Sequence, residues 1–171
     1  MKYLNKIVNR LNSNKVTLEN CNLNEIKSLE AKINKGLPIC YKEFLESMGK
    51  DTDATNVKSG LYDYTGFEGE SIFYDNVYGD YTNKDGLIEQ LEEDGKDDLL
   101  LQIKNDNVFV FSSHQGYIYA FFKLDEGDNP PVYGYHEGQE KDNFPKLTDT
   151  LLEFFEKYLE YGKDPYDALD E

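Results

Sequence analysis

Apolar residues recur at helical spacing through the first fifty positions of this chain and then change rhythm. Leu4, Ile7, Val8 and Leu11 mark one face of a short helix. Leu23, Ile26, Leu29 and Ile33 mark a second helix. Asn22 and Glu25 precede its apolar run with the spacing of a capping box, Asn standing in for the usual Ser or Thr. Gly36 sits where a left-handed residue would end that helix. Pro38, with its φ fixed near the helical value, opens a third. Tyr41, Phe44, Leu45 and Met48 form the apolar stripe of the third helix, and Gly49 ends it.

From about residue 57 short aromatic runs replace the helical period. Segments 60–64, 71–78, 99–104, 108–112, 117–122 and 132–135 have strand length and are bounded by Gly, Asn, Asp or Pro. Asn105, Asp106 and Asn107 read as a hairpin turn, because these side chains tolerate positive φ. Gln115-Gly116 reads as another. Residues 84–93 suit a short helix. Residues 147–159 form an amphipathic helix with Leu151, Leu152, Phe155 and Leu159 inward, Thr148 or Asp149 as its cap and Gly162 at its close. Helices, then sequential strands, then a helix is an α+β order. Short turns between strands predict a mainly antiparallel sheet of five or six strands. Leu29, Phe44, Leu45, Phe109, Phe111, Phe121, Leu152 and Phe155 are the expected core. No linker or repeat divides the 171 residues, so one domain spans 1–171, with a tail at 164–171 free to fray.

Composition adds a large aromatic content, 14 Tyr and 10 Phe without Trp, which argues against disorder. The net charge of −16 is unevenly spread: +4 over residues 1–50, −11 over 51–100 and −9 over 101–171. Such a chain repels nucleic acid and anionic membrane and attracts basic partners, although acidity also serves solubility alone. No apolar stretch approaches membrane-spanning length, and the N-terminal residues lack the apolar core of a secretory signal, so a cytoplasmic location is expected. Cys21 and Cys40 form no CxxC pair. Cys40 reads as a small buried hydrophobe, and a disulfide is disfavoured in reducing cytosol.

Little in the sequence points to catalysis or a cofactor. His114 and His136 are the two histidines. A metal or catalytic role would need them to converge with carboxylates such as Glu30 or Glu137, and no HExxH, P-loop, GxGxxG or GxSxG pattern is present. The plainer reading has His114 starting a turn and bonding locally. Asp51, Asp53 and Thr55 begin like a calcium loop, but Asn56 and Tyr62 stand where Gly and Glu belong. Asp125, Glu126 and Asp128 also miss that pattern.

The order Glu25-Ile26, Leu29-Glu30, Gly36-Leu37-Pro38, Tyr41-Lys42-Glu43-Phe44-Leu45 and Met48-Gly49 resembles the opening signature of the SUKH superfamily. His114-Gln115-Gly116-Tyr117, Phe121-Phe122 and Pro130-Pro131-Val132-Tyr133-Gly134-Tyr135 are similar to its middle strands. Leu147-Thr148-Asp149 with Phe154-Phe155 resembles its closing helix. Trp, which many relatives carry in the strands, is absent here. The resemblance implies a twisted sheet flanked by helices and no shared catalytic activity. Many such proteins are bacterial immunity proteins that neutralise a cognate polymorphic toxin, and others are intracellular regulators or scaffolds.

One segment interleaves aromatics with acids: Tyr62, Asp63, Tyr64, Phe67, Glu68, Glu70, Phe73, Tyr74, Asp75, Tyr78, Asp80 and Tyr81. Strand alternation would bury one set, with Phe67 and Phe73 the first candidates. Exposed tyrosines and carboxylates would then form a contact surface for a basic partner. Tyr62, Asp63, Tyr64, Glu68, Glu70, Tyr74, Asp75, Tyr78 and Asp80 are the residues expected there. Together with the resemblance, this yields the expectation of an immunity protein that binds a basic toxin domain by surface occlusion. The alternative is a scaffold or regulatory module of the same fold.

Overall fold

A computed structural model describes residues 1–50, 61, 70–78, 84–160 and 163–169. Three helices come first: α1 (Asn5–Ser13), α2 (Leu23–Ile33) and α3 (Ile39–Met48). The expected capping box closes α2, with the Asn22 carboxamide accepting from the N–H of Asn24 and Glu25 while the Glu25 carboxylate accepts from the N–H of Asn22. The helix ends earlier than Gly36, on Asn34 with φ 52°, because Asn bears left-handed backbone at low cost. Leu23, expected inward, is exposed at the first position of α2. Among the described residues these are followed by β1 (Glu70–Ser71), α4 (Tyr74–Tyr78), α5 (Lys84–Glu93), α6 (Asp97–Asn105), β2 (Val108–His114), β3 (Ile118–Lys123), β4 (Val132–His136), β5 (Lys146–Thr148), α7 (Leu151–Tyr158) and a 3-10 turn (Asp167–Leu169).

The fold is α+β, as expected. The five strands lie in the order β1-β2-β3-β4-β5, every neighbour antiparallel, and β1 is only two residues long. Gln115 and Gly116, both at positive φ, make the tight turn between β2 and β3. Both faces of this hairpin are covered. Phe109, Phe111, Ala120 and Phe122 face α1–α3 and α7, where Tyr41 meets three of those rings edge-on and Phe44 stacks on Phe155 at 4.6 Å. Val108, Val110, Tyr119, Phe121 and Tyr135 face the opposite way, onto Leu87 and Leu91 of α5 and Leu99 and Ile103 of α6. A bulge at Phe111 shifts the register so that Ser112 stands opposite Ala120. Ser112 thereby reaches the Tyr166 hydroxyl at 2.6 Å. An extra residue in one strand rotates the side chains that follow.

Several sequence expectations need correction. Segment 99–104 is helical. Its apolar run is leucine-rich rather than β-branched, and Asp97 and Asp98 stand in the first turn, where they favour a helix N-terminus. Residues 105–107 therefore join α6 to β2 instead of turning a hairpin. Segment 71–78 is the end of β1 followed by α4. Of segment 60–64 only Leu61 is described, and it is buried. The span 147–159 divides into the end of β5 and α7, and the helix cap is Thr150, whose hydroxyl accepts from the Glu153 N–H. Gly162 lies outside the described residues. Leu152 is half-buried, leaving Leu151, Phe154, Phe155, Tyr158 and Leu159 as the inward face. The described part of the tail does not fray: Tyr166 and Leu169 are buried, and Leu169 lies against Gly134, where an added Cβ would meet it at 3.0 Å. Cys21 and Cys40 are free thiols, buried, and pushed by burial to pKa values of about 12.

Two polar fasteners hold the layers. Glu43 in α3 receives the N–H groups of Lys2, Tyr3 and Leu4, fixing the start of α1. Asp94, between α5 and α6, accepts from the Tyr135 hydroxyl at 2.6 Å and the Gly138 N–H at 2.9 Å, and its other oxygen receives Gln90 at 3.3 Å. Burial pushes the Asp94 carboxyl up, but these donors outweigh it and hold its pKa below the ordinary carboxylate value.

Two stability predictions follow from this packing. Phe155→Ala removes the ring stacked on Phe44 and should cost about 3–5 kcal/mol, read as a lower urea midpoint at an unchanged slope; a shift within error would place the aromatic centre elsewhere. Asp94→Asn should cost on the order of 1–2 kcal/mol at pH 7. A carboxyl whose folded pKa is depressed stabilises above its unfolded pKa and loses that contribution as pH falls through the folded value. The gap between wild type and variant should therefore narrow below about pH 4. A gap independent of pH would show that Asp94 acts by shape alone.

Candidate partner-binding surface

Of the nine residues expected at the contact surface, Tyr62, Asp63, Tyr64, Glu68 and Asp80 lie outside the described residues, as does Phe67. Glu70 lies in β1, paired with His114. Tyr74, Asp75 and Tyr78 belong to α4, on the face of the sheet that carries α1–α3; Phe73 and Val77 of the same segment are buried there. The Tyr74 N–H donates to the Gly49 carbonyl at 2.7 Å, which fastens α4 to the end of α3.

The placement of the two tyrosines differs. Tyr74 is buried, and its hydroxyl donates to the Glu25 carbonyl at 3.1 Å. It supports the surface from beneath, where an exposed contact had been expected. Tyr78 is exposed and stacks on Tyr74, with ring centroids 5.4 Å apart and planes 21° apart. Asp75 points outward.

Two lysines distant in sequence meet this pair. The Lys50 ammonium lies 4.9 Å from the centre of the Tyr74 ring, 2.7 Å from the Glu25 carboxylate and 3.5 Å from that of Asp75. Its hydrogen bond to Glu25 raises the Lys50 pKa, and the same bond, with the Asn22 N–H, lowers that of Glu25. The Lys32 ammonium lies 4.8 Å from the centre of the Tyr78 ring and donates to the Tyr78 carbonyl at the end of α4. Cations are favoured both over an aromatic face and at a helix C-terminus. The α4 part of the acidic aromatic segment thus meets lysines of its own chain. Sequence reading missed Glu25, Lys32 and Lys50 as neighbours of α4, since no spacing announces a contact between residues so far apart in the chain.

A second acidic surface covers the other face of the sheet. Asp85, Glu89 and Glu93 repeat every four residues along α5 and line a groove of about 520 Å³ beside Gly116 and Tyr119 of the β2–β3 hairpin. A third groove, about 620 Å³, runs between α7 and the 3-10 turn and mixes Lys146 and Lys157 with Asp149, Glu153, Glu156 and Asp167. In it Lys146 pairs with Asp149 at 2.8 Å and Lys157 with Asp167 at 2.9 Å.

The residues weighed for catalysis are not gathered. His114 and His136 both pair with Ile118, on either side of it, and so stand two strand spacings apart, about 9.5 Å. Glu30 is committed elsewhere: it accepts from the Leu37 N–H at 2.9 Å and faces Lys42 at 3.4 Å. The Glu137 N–H donates to the Tyr117 carbonyl. Glu126 approaches the Tyr133 hydroxyl and Asp128 pairs with Lys2. The loop starting at Asp51 lies outside the described residues. Among the described residues no group of three or more His, Cys, Asp and Glu is placed to hold a metal ion, and no helix is long and apolar enough to cross a membrane.

No curated protein and no solved structure matches the chain. A family model does: that of the SMI1 / KNR4 family (SUKH-1), over residues 20–157, from the cap of α2 into α7. That span holds the Leu29-Glu30 pair, the Leu37-Pro38 step, the aromatic stripe of α3 and the whole five-stranded sheet, and the chain belongs to the SMI1 / KNR4 family (SUKH-1).

Proposed function

We propose that this protein is a bacterial immunity protein. It binds a cognate toxin domain and neutralises it by covering its active or substrate-binding surface, without turnover. Family membership over most of the chain carries this reading, because the family is generally an immunity-type, non-catalytic one. The charge distribution supports a basic partner: the net charge is −16, and residues 51–100 alone carry −11. An acidic surface raises the association rate with a basic partner and loses that advantage as salt rises. Tyrosine offers large contact area at low entropy cost, so Tyr62, Tyr64 and Tyr78 suit the centre of such an interface, with Asp63, Glu68, Glu70, Asp75 and Asp80 steering from its rim. The cytoplasm is the compartment in which this capture would protect the producing cell.

Co-expression with the toxin encoded beside the gene tests the proposal. Wild type should restore growth, and the purified pair should associate more slowly at high salt than at low salt. Reversing charge at Asp63, Glu68, Glu70 and Asp75 should slow association by about tenfold or more at low salt and erode protection, with circular dichroism unchanged. Full protection by the reversed protein would place the interface on another face, with the α5 stripe of Asp85, Glu89 and Glu93 the next to reverse. Failure of the wild type to protect against any genomic neighbour would sink the immunity reading and favour the scaffold role.

A further inference from the structure

Lys32 and Lys50 show what the α4 surface is able to hold. Two stacked tyrosines, two carboxylates and the Tyr78 carbonyl at the end of a short helix surround two ammonium groups supplied by the chain itself. The two cations are held differently. Lys50 is enclosed, with its side chain 23% exposed, and bonds at once to Glu25, Asp75 and the Tyr74 ring. It ties α2, α4 and the strand-like residue after α3 together. Lys32 lies outside this knot: its side chain is exposed, and so is the ring beneath it.

We infer that the outer face of Tyr78, with its carbonyl and the Asp75 carboxylate, is a seat for an arginine or lysine side chain of a basic protein partner, and that Lys32 is the internal occupant that this side chain displaces. The inference rests on the proposed capture of a basic partner and gives it a specific contact. Asp75 is 73% exposed even while it meets Lys50, so its carboxylate retains capacity for a second cation. An arginine suits the seat better than Lys32 does. Its planar guanidinium stacks on an aromatic face, is more weakly hydrated than an ammonium, and can donate to the carbonyl and the carboxylate together. Lys32 gains rotamer freedom on leaving, which offsets part of its lost contact. The seat therefore discriminates: Lys32 excludes poor competitors and yields to a well-placed arginine.

The probe is hexa-arginine amide, titrated at low salt into the full chain labelled with nitrogen-15. Amide shifts should centre on Lys32, Asp75 and Tyr78. Tyr78→Ala should weaken binding about two- to five-fold, with circular dichroism unchanged because the ring is exposed. Lys32→Ala should tighten binding more than Lys27→Ala does, since both remove one charge from α2 but only Lys32 covers the Tyr78 ring. Equal tightening by the two variants would reduce the effect to net charge and overturn the seat. Shifts centred on Asp85, Glu89 and Glu93 would overturn it as well. The two proposals fail separately: a chain that binds the probe at Tyr78 but protects against no toxin refutes immunity alone. A chain that protects while Tyr78→Ala and Lys32→Ala leave probe binding unchanged refutes the seat alone.

Discussion

Burial of the β2–β3 hairpin on both faces is the constraint on which the rest of this structure depends. An antiparallel hairpin can leave one face to water, and then every second residue is polar. Here Val108, Phe109, Val110 and Phe111 are all buried, as are Tyr119, Ala120, Phe121 and Phe122. Eight buried residues, in two runs of four without an outward polar set, demand a helical layer on each side. The aromatic face takes α3 and α7, whose Tyr41, Phe44, Phe154 and Phe155 match its rings in size. The opposite face, which mixes Val108 and Val110 with Tyr119, Phe121 and Tyr135, takes α5 and α6, which supply Leu and Ile. The bulge at Phe111 belongs to the same requirement, since it lets a polar Ser112 enter the aromatic layer with Tyr166 as its partner.

Two covered faces push the charge outward and divide it. The acidic α5 stripe lies beyond one layer, while α4, with Asp75 and Tyr78, lies on the other. The basic N-terminal region shares the second side, so Lys32 and Lys50 fall within reach of α4 and the α5 stripe keeps its carboxylates. The electrostatic surface thus results from which layer each segment joins. Net charge per segment, read along the chain, does not predict it. At short range a pair such as Lys50 and Glu25 is worth more than the averaged field, because both side chains are largely withdrawn from water.

Legibility in the sequence followed the range of the interactions. The capping box of α2, the stripe of α3 and the Gln115-Gly116 turn are set by residues within four positions of one another, and each could be read directly. The strands β2, β3 and β4 were legible because their runs are aromatic and β-branched. Helix α6 was not, since Leu99-Leu100-Leu101 is a short apolar run that periodicity alone cannot assign. The division between β5 and α7 was lost for a related reason: Leu147 falls in phase with the helix that follows it. The tail looked disordered by its charge, yet its two anchors, Tyr166 and Leu169, are three residues apart and fill places made by Ser112 and Gly134. At the candidate surface, Asp75 and Tyr78 were legible as an acidic aromatic pair. The burial of Tyr74 and the arrival of Lys32 were not, because both depend on where α4 docks.

Several of the residues that carry the family resemblance are internal fasteners. Leu29 is buried, and Glu30 beside it holds the Leu37 N–H, so the pair closes the α2–α3 connection. Gly49 is required by contact, since a Cβ there would lie 2.6 Å from Leu45 Cα and 2.9 Å from the Cys21 sulfur. Gly134 leaves room for Leu147 and Leu169 in the middle of a strand. Tyr41 and Phe44 fill the aromatic layer. A signature of this kind specifies the sheet and its two layers and leaves the outer carboxylates of α5 outside that constraint. Glu89, on the outer side of α5, stands apart from these fasteners, whereas Asp75 and Tyr78 also meet Lys50 and the buried Tyr74 ring and so share in docking α4.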